Sequence, residues 1–207
     1  MKFYLSSYKL GNEVPKLKKL IPKDNKKVAY IPNALDYSTD LERRSKSEKS
    51  DIADLENLGL KVELVDLRDY FKDQKRLEDK LSKVGVIWVR GGNTFVLREA
   101  MKLSGFDKII KKFMKKEDLL YGGYSAGICI LAPTLKGIDL MDDLTQKPYG
   151  KDQKIIWKGL ALIDYSIVPH YDSDHPESAD ANKSVEYLKR HKIPFKTLRD
   201  GEVIIIE

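Results

Sequence analysis

The chain has 207 residues, 42% of them hydrophobic and 34% charged, which is enough to bury the core of one globular domain without staples. A disulfide scaffold is excluded, because Cys129 is the only cysteine, and a lone thiol fits a reducing cytoplasm. The net charge of +6 is small and spread along the chain, and no apolar run approaches the roughly 18 residues of a membrane span. We therefore expect one cytoplasmic domain over residues 1–207, with no nucleic-acid partner and no membrane partner.

Short apolar segments alternate with longer charged segments of helical spacing over the first 130 residues. A helix is predicted over residues 39–58, ending at Gly59. This alternation indicates βαβ units, and so a mostly parallel sheet between two layers of helices. The apolar segments predict buried strands at residues 3–5, 28–31, 62–67, 84–89 and 119–121.

Residues 106–113 place apolar side chains at the i, i+3, i+4, i+7 positions of one helical stripe. The lysines around the stripe are expected to face solvent, because no aromatic residues alternate with them for base stacking. Residues 134–163 form a mixed region without a clear period. Beyond it the pattern predicts a strand at residues 165–168, a helix at 178–190 and a last strand at 203–206.

The segment Gly-Tyr-Ser-Ala-Gly at residues 123–127 lies between an apolar strand and an apolar helix. It matches the G-x-S-x-G pattern in the strand–turn–helix context that exposes a nucleophilic serine. The sharp turn needs small neighbours, which Gly123 and Gly127 supply, and it would present the Ser125 hydroxyl at the carboxyl end of the sheet. The N–H group of Ala126 would be the first donor to an oxyanion. The alternative is a glycine-rich turn with an incidental serine.

A second strand runs into glycines at residues 90–95, where Asn93 or Thr94 would cap the next helix. The segment lacks the spacing of the known phosphate-binding loops. Gly91 and Gly92 would let a ligand approach the backbone and would offer a second oxyanion N–H, at the strand ends where open α/β sheets bind ligands. The alternative is a tight turn with no further role.

A serine nucleophile needs a base, and the chain has three histidines. His170 directly follows a predicted strand, which places it on the same edge of the sheet as Ser125, so we predict that His170 is the base. His175 lies in a polar turn, and His191 lies at the basic end of a helix, where it would be solvated. A buried structural histidine is the alternative for His170.

The histidine also needs a carboxylate to orient it, and position along the chain leaves the choice open. No cluster has the spacing of metal ligands, so we expect no metal and no cofactor. The candidate carboxylates are Asp139, Asp142 and Asp143 before His170, and Asp200 and Glu202 after it.

These segments together resemble a known family. Gly-Gly-Asn-Thr-Phe at 91–95, Tyr-Gly-Gly-Tyr-Ser-Ala-Gly at 121–127, Pro-Thr at 133–134 and Pro-His-Tyr at 169–171 are similar, in this order, to peptidase family S51, which includes aspartyl dipeptidases and cyanophycinase. The resemblance implies the three-layer α/β fold of class I glutamine amidotransferases, a flavodoxin-like sheet between helix layers, with serine replacing the usual cysteine.

Residue by residue, the resemblance assigns Ser125 as the nucleophile and His170 as the base, with Gly92 and Ala126 as the oxyanion donors. Further residues expected to contact the substrate are Gly91, Asn93, Thr94 and Tyr124.

The third member of the triad matches two family positions. Glu202 matches a late glutamate, and Asp142, or less well Asp139, matches an aspartate after the nucleophile. We favour Glu202, because the fold brings late strands to the same edge of the sheet.

The chain departs from aspartyl dipeptidases after the catalytic histidine. Those proteins carry an arginine there, whereas residues 172–180 contain four carboxylates and no arginine. Such a loop would attract a cationic peptide N-terminus and repel an acidic side chain. If an acidic side chain were nevertheless preferred, Arg90 would be the cation that binds it.

We therefore expect a serine peptidase that acts on short peptides as a monomer or homodimer, without a strict preference for an N-terminal aspartate. An esterase with the same triad and a non-catalytic binding module with the same pocket are the alternatives.

Overall fold

The computed structural model describes residues 1–150, 152 and 154–207. Its strands are β1 (Lys2–Ser6), β2 (Lys27–Ile31), β3 (Lys61–Leu64), β4 (Val86–Val89), β5 (Leu120–Tyr124), β6 (Ser166–Val168), β7 (Phe195–Thr197) and β8 (Val203–Ile206). Six of them form one sheet in the order β3-β2-β4-β5-β1-β8, and β6 pairs with β7 separately. Every pairing is parallel except that of β8 with β1, which is antiparallel.

The helices cover both faces of the large sheet. They are α1 (Val14–Leu20), α2 (Leu41–Glu56), α3 (Gln74–Leu81), α4 (Thr94–Ser104), α5 (Phe106–Phe113), α6 (Ala126–Cys129) and α7 (Ser178–Arg190). On one face Leu17, Leu20 and Leu55 of α1 and α2 pack on alternate strand residues such as Tyr30 and Trp88. On the other face α3, α4 and α5 pack on the intervening strand residues. The period-2 alternation of side chains thus builds two cores, one on each face of the sheet.

The expected architecture, a mostly parallel sheet between helix layers, is confirmed. The helices over 106–113 and 178–190 and the strand over 203–206 have the expected bounds. The strand expected over 62–67 is shorter, because the chain turns into a 3₁₀ helix at Leu67–Tyr70. No helix among the described residues is long and apolar enough to cross a membrane.

The parallel strands bring their carboxyl ends to one edge of the sheet, and the polar residues of interest follow these ends. Ser7 follows β1, Arg90 follows β4 and Ser125 follows β5. The small β6–β7 pair brings His170 to the same region, and the turn from β7 to β8 brings Asp200. Residues distant in sequence therefore meet where open α/β sheets bind ligands.

Candidate active site

Ser125 occupies a strained turn between β5 and α6. Its φ of 49° and ψ of −119° lie outside the regions that side-chain-bearing residues normally adopt, a strain of order 1–3 kcal/mol. A Cβ on Gly127 would lie 2.1 Å from the carbonyl oxygen of Val89, and one on Gly123 would lie 2.5 Å from the same atom. Glycine at both positions is therefore what lets this turn pack against β4, as the G-x-S-x-G pattern predicts.

The turn after β4 lies directly against the serine. A Cβ on Gly91 would lie 2.8 Å from the Cβ of Ser125, and a Cβ on Gly92 would lie 2.4 Å from the carbonyl oxygen of Ala34. Ala126 is the first residue of α6, so its N–H group has no carbonyl partner within the helix. The two expected oxyanion donors thus lie on turns that flank the serine.

Asn93 and Thr94 serve helix α4 rather than the cleft. The Asn93 Oδ1 accepts hydrogen bonds from the backbone N–H groups of Phe95 (2.8 Å) and Val96 (3.1 Å), which is the geometry of an N-cap. The buried Thr94 donates its backbone N–H to Asp142 at 2.9 Å. Asn93 and Thr94 do not line the cleft, whereas Gly91 and Tyr124 do, so the position of Asn93 and Thr94 does not support the predicted contact with the substrate.

His170 lies two residues beyond β6 and is 1% exposed. Its Nδ1 atom is 2.7 Å from the Oδ1 atom of Asp200. A carboxylate at Nδ1 favours the tautomer that carries its proton there, which leaves Nε2 free to accept a proton. His170 and Ser125 line one cleft, together with Gly91 and Gly92. The structure thus brings the predicted serine and histidine together and supplies the histidine with a carboxylate.

Glu202, the favoured third member, does not contact His170. Its carboxylate accepts a hydrogen bond from the backbone N–H of Arg199 at 2.7 Å and closes the exposed turn before β8. Asp200, two residues earlier, takes the position at the histidine. The choice of Glu202 as the carboxylate at His170 is therefore corrected to Asp200. In this turn the Asp200 carboxylate contacts His170, whereas the Glu202 carboxylate bonds to the backbone of the turn.

The two alternative carboxylates also have other roles. Asp142 accepts the Thr94 N–H at the start of α4, and burial raises the pKa of its carboxyl to about 6. Asp139 accepts a hydrogen bond from the backbone N–H of Gly137 at 2.8 Å, within its own turn. Neither contacts His170, and so neither orients it.

His175 and Glu177 contact His170, which the sequence analysis did not predict. The His175 ring stacks on that of His170 with centroids 3.8 Å apart and planes 9° apart. The Glu177 Oε2 atom is 3.8 Å from the His170 Nε2 atom. Burial, and then the nearby His175, lower the pKa of His170, against the opposing effect of Asp200. The only sequence signal was their position in the polar turn that follows His170.

The same three residues form the one group of possible metal ligands among the described residues, with ligand atoms within 4.8 Å of one another. His170 Nδ1 already contacts Asp200 Oδ1 at 2.7 Å. The Nδ1 atom of His175 also accepts the backbone N–H of Glu177 at 3.2 Å. Both Nδ1 atoms therefore have protein partners, and Nε2 is the atom that each ring would offer to a metal.

The cleft has a volume of about 370 Å³ and carries both signs of charge. Glu177 lies on the wall formed by the loop after His170, as expected. Cationic side chains also line the cleft, and most are neutralised by neighbours: Arg44 by Asp36 at 2.7 Å, and Arg90 by Asp51 at 3.7 Å. Of the four carboxylates in residues 172–180, only that of Glu177 lines the cleft, so the loop brings less negative charge to the site than its composition suggests.

Taken together, the site joins a strained serine at a strand–helix turn to a histidine–aspartate pair in a three-layer α/β fold. Comparison with known proteins identifies this class. Peptidase family S51 matches residues 6–207, so the chain belongs to peptidase family S51, a family of peptidases.

Individual relatives agree with this assignment. The chain is 34% identical over 139 residues to an uncharacterized peptidase of Listeria monocytogenes, and 31% identical over 130 residues to one of Pasteurella multocida. A probable alpha-aspartyl dipeptidase of Drosophila melanogaster is 27% identical over 135 residues. The matches cover 67%, 63% and 63% of this chain, and 64%, 59% and 53% of those proteins.

Solved structures extend the likeness over the whole fold. A crystal structure of a putative peptidase E protein from Listeria monocytogenes superposes with a TM-score of 0.73 at 29% identity, covering 99% of this chain and 93% of that one. A peptidase from an acI-B1 Actinobacterium gives a TM-score of 0.70 at 14% identity, covering 100% and 83%, and at that identity it supports the fold alone.

Proposed function

We propose that this protein is a serine-type peptidase that hydrolyses short peptides through Ser125, His170 and Asp200. The observation that carries the proposal is the 2.7 Å contact between His170 Nδ1 and Asp200 in the cleft that Ser125 lines. A serine on a strained strand–helix turn, beside a histidine held by a carboxylate, is the arrangement that activates a hydroxyl.

In the proposed reaction the Ser125 Oγ attacks the scissile carbonyl carbon while His170 Nε2 takes the hydroxyl proton. Asp200 stabilises the imidazolium that results. The N–H groups of Gly92 and Ala126 would hold the negative oxygen of the tetrahedral intermediate. The imidazolium then gives its proton to the leaving amine. In the second half of the reaction a water molecule gives a proton to His170 and attacks the acyl carbon. The Ser125 oxygen then leaves and takes the proton back from His170.

Glu177 is suited to hold the free N-terminus of the substrate. Its carboxylate lies 3.8 Å from the base, and hence close to the bond that would be cleaved. Burial, and then the nearby Asp142, raise the pKa of Glu177, so a cation beside it would be favourable. A peptide N-terminus carries such a charge near neutral pH. We therefore propose that the N-terminal residue of the peptide occupies the acyl side of the cleft.

A fluorophosphonate probe tests whether the site is catalytic, because it reacts covalently with an activated serine. We expect labelling of wild-type protein, located on Ser125 by peptide mapping, and none in Ser125→Ala or His170→Ala. A matched control is Ser166→Ala, which removes another buried serine hydroxyl away from the cleft. Absence of labelling in the wild type would favour a non-catalytic binding module. Labelling with turnover of esters but not of peptides would favour an esterase.

A further inference from the structure

Ser7 is a fully buried serine at the end of β1 that contacts all three parts of the proposed triad. Its hydroxyl donates a hydrogen bond to Asp200 Oδ1 at 2.8 Å and accepts one from the backbone N–H of His170 at 2.9 Å. Its backbone carbonyl accepts the N–H of Ser125 at 3.2 Å. One residue is therefore bonded to the nucleophile, the base and the carboxylate.

The sheet order explains why this position reaches all three. Strand β1 lies between β5, which ends at the nucleophile, and β8, which follows the turn that carries Asp200. The first residue beyond β1 thus lies between those two turns. The backbone N–H of Ser7 also donates to the carbonyl of Glu202 at 3.1 Å, which ties the Asp200 turn to the same point.

Both catalytic residues need such support, because both have a strained backbone. Ser125 has a φ of 49° and His170 a φ of 59°, and neither is glycine. Strained conformations of this kind persist only where the surroundings hold them. In each case the N–H of the strained residue donates to Ser7, to its carbonyl in one case and to its hydroxyl in the other.

The hydroxyl of Ser7 also shares an acceptor with the base. Asp200 Oδ1 accepts both the Ser7 hydroxyl and the His170 Nδ1–H, at 2.8 and 2.7 Å. Two donors on one oxygen fix the direction in which the carboxylate points, and hence the plane of the imidazole ring.

We propose that Ser7 is a positioning residue of the active site, whose hydroxyl holds His170 and Asp200 in their productive geometry. This proposal rests on the proposed serine-peptidase function. Ser7 touches neither the substrate nor the reacting atoms, so it acts through the triad. Without the hydroxyl, the His170 N–H loses its partner in a buried place and Asp200 loses one of its two donors.

Ser7→Ala tests the proposal, and Ser6→Ala is the matched control. Ser6, the residue before Ser7, is equally buried, but its hydroxyl donates to the carbonyl of Tyr8 at 3.0 Å and does not bond to the triad. We expect Ser7→Ala to lower kcat/KM on a dipeptide by about 10- to 100-fold, mainly through kcat, because small misplacements of catalytic groups have costs of this size. Ser6→Ala should stay within about threefold of wild type.

Two further measurements separate positioning from general destabilisation. The NMR titration midpoint of the His170 ring should move by about half a pH unit or more in Ser7→Ala and stay unchanged in Ser6→Ala, because only Ser7 shares the Asp200 oxygen. Ser7→Cys keeps the shape with a weaker donor and should fall between wild type and Ser7→Ala in kcat. If Ser7→Ala does not fold, Ser7→Cys takes its place in the comparison with Ser6→Ala.

The proposal would be overturned if Ser7→Ala had the same kcat and the same His170 titration midpoint as Ser6→Ala. A wild-type protein without Ser125-dependent hydrolysis would instead overturn the proposed function. In that case an unmoved His170 titration in Ser7→Ala would separately overturn the positioning of the ring, and a moved one would support it.

Discussion

At the scale of single residues, the active site depends on which carboxylate reaches His170. Asp200 is 2.7 Å from the ring, whereas Glu202 is bonded to the backbone of its own turn. A carboxylate that holds the imidazole tautomer has a large effect on the rate, while a carboxylate that closes an exposed turn has a small one.

Asp200→Asn should therefore lower kcat by about 10³–10⁴-fold, because an amide at this position no longer favours the required tautomer. Glu202→Gln should stay within a few-fold of wild type and is the matched control from the same turn. Steady-state kinetics on one dipeptide would measure both. A larger loss for Glu202→Gln than for Asp200→Asn would contradict our assignment.

The surroundings of His170 also set the pH dependence. Burial and His175 lower its pKa, while Asp200 acts in the opposite direction and Glu177 faces Nε2. In the proposed mechanism the neutral ring is the base, so kcat/KM should hold as the pH falls and decline only below about 6.5, the ordinary histidine pKa.

His175→Phe should raise the midpoint of this acid limb, because it keeps a ring beside His170 but removes the imidazole that lowers the pKa of His170. His191→Phe is the control, since His191 is exposed at the end of α7 and stacks on Tyr187 instead. The pH profiles of kcat/KM check both variants. A midpoint that falls in His175→Phe would contradict the assigned role of His175.

That Ser125 and His170 line one cleft could be predicted from the sequence, because each follows an apolar strand and strand ends converge in a parallel sheet. The choice between Asp200 and Glu202 could not, because both lie in one turn and its local geometry decides which carboxylate faces inward. Ser7 and the His170–His175 stack were also out of reach, since nothing in a single sequence distinguishes these residues from ordinary buried or turn residues.

At the scale of elements, the site is built from close contact between strand β4 and the turn after β5. The Gly127 position has no space for a side chain, because a Cβ would meet the Val89 carbonyl at 2.1 Å. A Cβ on Gly59, three residues after the end of α2, would have nothing within 4 Å, but the φ of 81° at this position favours glycine. A substitution at Gly127 therefore measures the cost of a steric contact, and one at Gly59 measures the cost of backbone strain.

Gly127→Ala should lower the free energy of unfolding by about 2–4 kcal/mol, since the backbone of β4 or of the turn must move. Gly59→Ala should lower it by about 1 kcal/mol, the cost of a left-handed conformation. Urea unfolding of both variants checks the difference. Equal destabilisation would show that the close packing of the turn on β4 is not what requires glycine.

Elements with a clear apolar pattern could be predicted from the sequence, and short elements without one could not. The stripe of α5 and the apolar face of α7 have the expected bounds. Strand β7 has three residues and pairs only with β6, and α1 and α3 are short and highly charged, so their patterns were too brief to recognise.

At the scale of the whole molecule, the cleft is lined by one carboxylate from the segment after His170, that of Glu177, and by the arginines Arg43, Arg44 and Arg90. Arg90, the cation we named for an acidic substrate, donates to Ser47 at 3.0 Å and lies 3.7 Å from Asp51. Its charge is thus balanced within the protein. Glu177 lies beside the base and favours cations there.

Asp-Leu should therefore have a kcat/KM no higher than those of Ala-Leu and Lys-Leu. Glu177→Gln should reduce the difference in kcat/KM between Lys-Leu and Asp-Leu, because it removes a negative charge near the N-terminal residue of the substrate. Parallel kcat/KM measurements with the three dipeptides check both expectations. A preference for Asp-Leu above about tenfold, or roughly 1.4 kcal/mol, would contradict them and would point to Arg90.

The central claim is that Ser125 is the nucleophile of a peptidase, and the hydrolysis of dipeptides by Ser125→Ala tests it most directly. We expect wild-type protein to release free amino acids from a mixed dipeptide set. Ser125→Ala should fold normally but lose about 10⁴–10⁶-fold in kcat. Activity of Ser125→Ala within tenfold of wild type would contradict the proposed mechanism.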